Sequence, residues 1–196
     1  PMMLSITVND RYGRILSGQT LEALLASVSH FPLLSIGLNC SFGAQDMLPS
    51  LRTLAAKAPF FISAHPNAGL PNAMGQYDQS PAMMAEQMEQ FVSEGLVNII
   101  GGCCGTTPEH ISALLPLTTK GTPHVPIAKE VLGYSIQLSG LEPLATKNND
   151  AVFINVGERC NVAGSRKFLR LIKENAYEEA LEIARLQVLD GAMVLD

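Results

Sequence analysis

Val97-Asn98-Ile99-Ile100-Gly101-Gly102-Cys103-Cys104-Gly105 is a short apolar run that stops at glycines bracketing two adjacent cysteines. A run of this length and composition ending in glycine reads as a buried strand opening into a tight loop. The same transition occurs three more times upstream. The apolar runs occupy residues 3–8, 33–38, 60–64 and 97–100, and helix-like segments follow at 20–29, 45–57, 80–94 and 107–115. Buried runs rich in Ile, Val and Leu that alternate with helices predict parallel strands joined by crossovers, an α/β fold. Four such units, spaced by roughly 30 residues, fit half of a (β/α)8 barrel better than a complete fold. A doubly wound sheet stays open at this point, because periodicity does not decide closure.

The texture changes at residues 117–150. Thr118-Thr119-Lys120-Gly121-Thr122-Pro123 and Lys147-Asn148-Asn149-Asp150 are polar, turn-forming punctuation around a weakly apolar piece at 134–138. This stretch reads as a linker that packs on a neighbour. A new unit follows, with a strand expected at 152–156 and helical turns from 165 to 189. There Glu178, Glu179 and Glu182 alternate with Leu181, Ile183 and Leu186. The chain closes on Met193-Val194-Leu195-Asp196, which reads as the interior of a further strand, and a fragment of a longer protein is the expectation.

Composition narrows the function classes. The 196 residues are 47% hydrophobic and 16% charged, enough apolar surface for a core and too little charge for general disorder. A net charge of −5 without a basic cluster disfavours nucleic acid and anionic membrane surfaces as partners. Apolar runs of about eight residues fall far short of the ~20 needed to span a bilayer. No tripartite secretory start is visible, and four cysteines that include an adjacent pair suit a reducing, cytoplasmic setting.

Cys40 ends the run 33–38 after Asn39, and Cys103 and Cys104 end the run 97–100. Strand ends of a parallel barrel share one face, so thiols 63 positions apart in sequence can converge. Three thiolates with an open fourth position make a catalytic zinc site, whereas a structural site fills all four. Cys40 taken alone fits a small buried apolar residue as well. The Gly-Gly-Cys-Cys-Gly run favours metal for the trio.

Gly37-Leu38-Asn39-Cys40, His65-Pro66-Asn67-Ala68-Gly69-Leu70-Pro71-Asn72 and Gly101-Gly102-Cys103-Cys104-Gly105-Thr106-Thr107-Pro108 resemble the zinc-dependent homocysteine S-methyltransferase domain. Asn155-Val156-Gly157-Glu158-Arg159-Cys160-Asn161-Val162-Ala163-Gly164-Ser165-Arg166 resembles the opening of a pterin-binding domain, and Leu138-Ser139-Gly140-Leu141-Glu142-Pro143 resembles the piece between them. The two domains in this order resemble the cobalamin-dependent methionine synthase family. Betaine–homocysteine methyltransferases share only the first motif set.

The resemblance implies the C-terminal half of one TIM barrel at 1–116, an interdomain linker at 117–150 and the first βα unit of a second TIM barrel at 151–196. It implies zinc held by Cys40, Cys103 and Cys104, homocysteine as substrate, and 5-methyltetrahydrofolate contacted by Gly164, Ser165 and Arg166. It also implies cobalamin bound by a domain outside this chain, with the remaining domains of the parent enzyme as partners. A non-catalytic protein with a structural zinc site, or a stand-alone homocysteine methyltransferase using another donor, are the rival readings. Thr20 and Ser165 read as helix caps, His65 as a turn histidine able to line the pocket, Cys160 as a packing residue, and Met83, Met84 and Met88 as core.

Overall fold

The structure is a computed structural model that describes residues 1–10, 12–40, 43–128, 133–147 and 153–196. The chain divides into two compact units, residues 1–148 and 149–196.

The first unit is built on a parallel sheet of four strands in sequence order, β1 (Met2–Ile6), β2 (Leu33–Cys40), β3 (Phe61–Pro66) and β4 (Ile99–Ile100). Helices α1 (Leu21–Val28), α2 (Ala44–Ala55), α3 (Pro81–Ser93) and α4 (Pro108–Leu114) follow the strands in turn, and a 3-10 turn covers Leu115–Thr119. The alternation of βα units is the one the apolar runs predict. The sheet is open as described, a mixed α/β arrangement without a closed barrel.

Side chains alternate across the pleat and divide the sheet into two faces. Ile36, Leu38, Ile62 and Ala64 join Met47, Leu51, Leu54, Met84, Met88 and Phe91 in one apolar core between sheet and helices. Ser35, Gly37, Asn39, Ser63 and His65 alternate onto the other face, where Ser5 Oγ donates to Asn39 Oδ1 at 2.8 Å. Of the three methionines expected in the core, Met84 and Met88 are fully buried, but Met83 is 52% exposed. Met84, Met88 and Phe91 follow an i, i+4, i+7 stripe, and Met83 is rotated by about 100° off it.

Caps define the helix starts. Thr20 Oγ1 accepts from Ala23 N–H at 3.2 Å and Ser80 Oγ from Met83 N–H at 3.3 Å. Arg52 on α2 grips Glu94 at the end of α3 through two hydrogen bonds of 2.8 and 2.6 Å, and Gln90 adds a third of 2.8 Å. Those bonds, Arg52's first, hold the Glu94 carboxyl at about 2, below its ordinary value. A carboxyl depressed in the folded state contributes stability above its unfolded pKa, and that contribution is lost as pH falls towards the folded one. Between about pH 4.5 and pH 2, thermal melts of the native protein are therefore expected to lose more than those of Glu94→Gln. Parallel pH curves for the two proteins would contradict this.

The stretch 117–150, read from the sequence as a linker that packs on a neighbour, holds a hairpin among its described residues. β5 (Tyr134–Ser139) and β6 (Pro143–Lys147) form an antiparallel hairpin. It lies on α1: Ser139 Oγ donates to Ala23 O at 2.7 Å, and Thr20 N–H donates to Leu141 O at 2.9 Å. Arg14 pairs with Glu142 in the same contact. The turn-rich residues Asn148, Asn149 and Asp150, and the junction at 150–151, lie outside the described residues.

The second unit holds β7 (Val156–Gly157) paired in parallel with β8 (Val194–Leu195), and helices α5 (Arg166–Lys173) and α6 (Tyr177–Leu189). The strand expected at 152–156 is shorter and later: Phe153–Asn155 is not strand, and Val152 lies outside the described residues. The continuous helical stretch expected from 165 to 189 is two helices. Asn175 at φ 55° breaks it, a left-handed conformation that asparagine tolerates better than most side chains. The alternation on α6 does not bury its leucines, since Leu181 and Leu186 are exposed while Ala180 and Gln187 are buried. Gln187 earns its buried place by accepting from Arg159 N–H at 2.8 Å and donating to Cys160 Sγ at 3.2 Å. No helix among the described residues is long and apolar enough to cross a membrane.

Candidate metal centre

β2 and β4 deliver their cysteines to the same end of the sheet, because the strands are parallel and each cysteine lies at or just beyond the C-terminal end of its strand. Cys40 is the last residue of β2 and takes φ 53°, which turns the chain sharply as the strand closes. Beyond β4 the backbone continues the ladder with β3 and its extension. Gly101 N–H donates to Ala64 O at 3.0 Å, Cys103 N–H to Pro66 O at 2.8 Å, and Ala68 N–H to Cys104 O at 2.9 Å. Cys104 N–H donates to Asn67 Oδ1 at 3.1 Å. Thr106 Oγ1 closes the turn onto Cys103 O at 2.7 Å. The two cysteines are thus fixed by main-chain bonds on one side and by a buried amide on the other.

The three sulfurs lie within 4.8 Å of one another. Cys40 and Cys104 are 3.7 Å apart, Sγ to Sγ. A tetrahedral zinc ion with bonds near 2.3 Å separates its sulfur ligands by about 3.8 Å, so that edge already has the spacing of a ligand pair. Cys40 and Cys103 are in direct contact as a disulfide, with Cα atoms 5.6 Å apart. The donor set is soft, partly open to solvent on the Cys104 side, and able to leave a fourth position for an incoming thiol. The residues present therefore fit a zinc ion.

His65 does not join the thiols as a ligand group. It pairs in register with Asn39, and its ring lies over Gly101, where a Cβ would come within 2.6 Å of Cδ2. Burial lowers its pKa, so the imidazole stays neutral near pH 7. Two residues that sequence reasoning passed over belong to this site. Asn67 is buried and accepts from the Cys104 amide, and the Tyr77 ring lies against Gly105, the residue after Cys104. Both sit in polar, turn-forming sequence that carries only a loop signal.

In the second unit Ser165 caps α5, accepting from Phe168 N–H at 3.3 Å. Gly164 faces open space and Arg166 is exposed. The cleft of this unit, about 710 Å³, is lined instead by Asn155, Glu158, Arg159, Lys167, Gln187 and Asp190. Gly164, Ser165 and Arg166 are not among its lining residues.

A parallel α/β sheet gathers three cysteines at the C-terminal ends of its strands, a group that could hold a metal ion. The family model for homocysteine S-methyltransferase matches residues 1–116. The chain belongs to this family, and methyl transfer to homocysteine is the class of activity that membership indicates.

Proposed function

We propose that this chain is part of a cobalamin-dependent methionine synthase, with zinc held by Cys40, Cys103 and Cys104 to receive homocysteine. The observation that carries the reading is the convergence of three sulfurs from two strand ends. When bound there, zinc lowers the pKa of a coordinated thiol, so that homocysteine enters as a thiolate at neutral pH. Asn67 orients Cys104 through its amide, and the ladder from Ala64 to Ala68 keeps both cysteines of the pair at the sheet end. The thiolate of homocysteine takes the methyl group, forming the S–CH₃ bond of methionine as the bond to the donor breaks.

In this proposal 1–116 is the C-terminal half of the homocysteine barrel and 117–150 joins it to the next domain. Residues 151–196 then open the pterin-binding barrel. The donor is methylcobalamin, restored by 5-methyltetrahydrofolate, in the cytoplasm. Asn155 to Arg166 supports the second barrel through its motif, and Gly164, Ser165 and Arg166 at the start of α5 are the proposed folate contacts. Helix N-termini favour polar and anionic groups through their free N–H groups.

The test is metal exchange. The reduced protein loaded with cobalt(II) is expected to bind one ion per chain and to gain a further sulfur-to-metal absorption band when homocysteine is added. A spectrum that homocysteine leaves unchanged would mark a closed structural site and overturn the catalytic reading.

A further inference from the structure

The turn that carries Cys103 and Cys104 runs straight into α4, with Gly105, Thr106 and Thr107 between the thiols and the first helical residue, Pro108. A helix leaves its first N–H groups without partners inside itself. Three residues after an N-cap threonine, a glutamate or glutamine often reaches back to satisfy the N–H of the cap. Here that position holds His110, which is only 6% exposed. Thr107 N–H donates to His110 Nδ1 at 3.2 Å, and Thr107 Oγ1 lies 3.0 Å from the same nitrogen. The other ring nitrogen, Nε2, lies 2.9 Å from the main-chain oxygen of Gln79, 31 positions back in the sequence.

These contacts assign the tautomer. The Gln79 carbonyl oxygen can only accept, so Nε2 carries the proton and donates, while Nδ1 receives the Thr107 N–H and is bare. An ionised glutamate would cap Thr107 but would have no hydrogen to give Gln79. The bond to Gln79 joins two helix starts, since Gln79 precedes Ser80, whose hydroxyl caps α3. It also completes a seam between the β3–α3 loop and the cysteine turn. Asn67 accepts from Cys104 N–H, Ala68 N–H donates to Cys104 O, and the Tyr77 ring packs on Gly105. Gln79 and His110 supply the last of these contacts along the chain.

We propose that His110 is a positioning residue of the thiol site: as the Nε2–H tautomer it ties the start of α4 to the loop before α3, and so holds the turn that aims Cys103 and Cys104 at Cys40. The inference rests on the reading of the three thiols as a ligand set. Cys40 arrives on β2, a different strand, so the spacing of the three sulfurs depends on how firmly the turn beyond β4 is held. Main-chain bonds from Gly101 to Cys104 hold its near side. The bond from His110 to Gln79 holds its far side.

His110→Leu removes both ring nitrogens, and His110→Gln keeps an acceptor for Thr107 and a donor for Gln79. In the reduced, metal-free chain, hydrogen exchange of the Cys104 amide is expected to quicken about tenfold in His110→Leu, the scale of one lost hydrogen bond. The Leu51 and Leu54 amides of α2 are the reference, and His110→Gln is expected to restore most of the protection. Zinc affinity, measured by competition with a chromogenic chelator, is expected to fall about threefold to tenfold in His110→Leu and to recover in His110→Gln. That loss is smaller than for a group that touches a metal ligand itself. A Cys104 amide exchanging at the native rate, equal acceleration of the α2 amides, or native zinc affinity in His110→Leu overturns the inference. So does a nitrogen-15 spectrum of the native chain that places the His110 ring proton on Nδ1, a measurement that stands even where His110→Leu fails to fold. A native chain that binds no zinc overturns the ligand-set reading instead, and the exchange comparison still decides whether His110 holds the turn.

Discussion

Cys103→Ala is expected to abolish zinc retention, and homocysteine methylation by the parent enzyme with it. Cys103 is the sulfur that joins the two strand ends, in contact with Cys40 from β2 and next in sequence to Cys104. Removing it leaves two sulfurs 3.7 Å apart, too few protein ligands for an ion that must also keep a place for substrate. The folate half-reaction uses the other domain in this proposal. In the full-length parent, methyl transfer from 5-methyltetrahydrofolate to free cobalamin should therefore persist in Cys103→Ala, and Arg166→Ala should show the opposite pattern. Metal analysis and separate half-reaction assays decide the matter. Equal loss of both activities in a folded Cys103 variant would remove the division of labour proposed here.

Gly37→Ala is expected to be the most damaging single change to the fold, costing about 3 kcal/mol or more, at the severe end for overpacking. Gly37 sits in the middle of β2, opposite Ser63 on β3 and Ser5 on β1. A methyl group there would overlap both the Ser63 side chain and the Ser63 carbonyl oxygen. The side-chain overlap can be relieved, but the carbonyl belongs to the sheet and cannot move without breaking its ladder. A Gly37→Ala, Ser63→Ala double variant should recover only part of the loss in chemical denaturation. Full recovery would show that the hydroxyl alone was the obstacle.

The rhythm of the first unit was legible because each strand is a compact apolar run and each helix carries its own stripe and cap. Thr20 and Ser165 act as caps in the structure as their positions suggested. The thiol cluster was legible in part for the same reason, since a cysteine at the end of a parallel strand has its end of the sheet assigned by topology. What escaped detection depends on contacts that no local pattern records. Asn67 matters through a bond to a residue 37 positions away and Tyr77 through packing on one 28 positions away, and both read locally as loop. The hairpin of β5 and β6 turns through Gly140-Leu141-Glu142, without the Asn-Gly signature of a tight hairpin, and its support comes from α1 near the other end of the unit. The break at Asn175 is a single left-handed residue inside a stretch of good helix formers.

The hairpin's attachment to α1 separates ancestry from cooperativity. The family model matches residues 1–116, yet Arg14 meets Glu142 and Thr20 meets Leu141 across separations of more than a hundred residues. Closing so long a loop adds little to the equilibrium cost, because loop entropy grows only with the logarithm of length, but it is slow to find. The parallel sheet and its helices can assemble from neighbours in sequence, whereas the hairpin must wait for a formed α1 to dock against. The compact unit therefore extends past the region that the family model matches to the end of β6. A boundary drawn by kinship would cut through it.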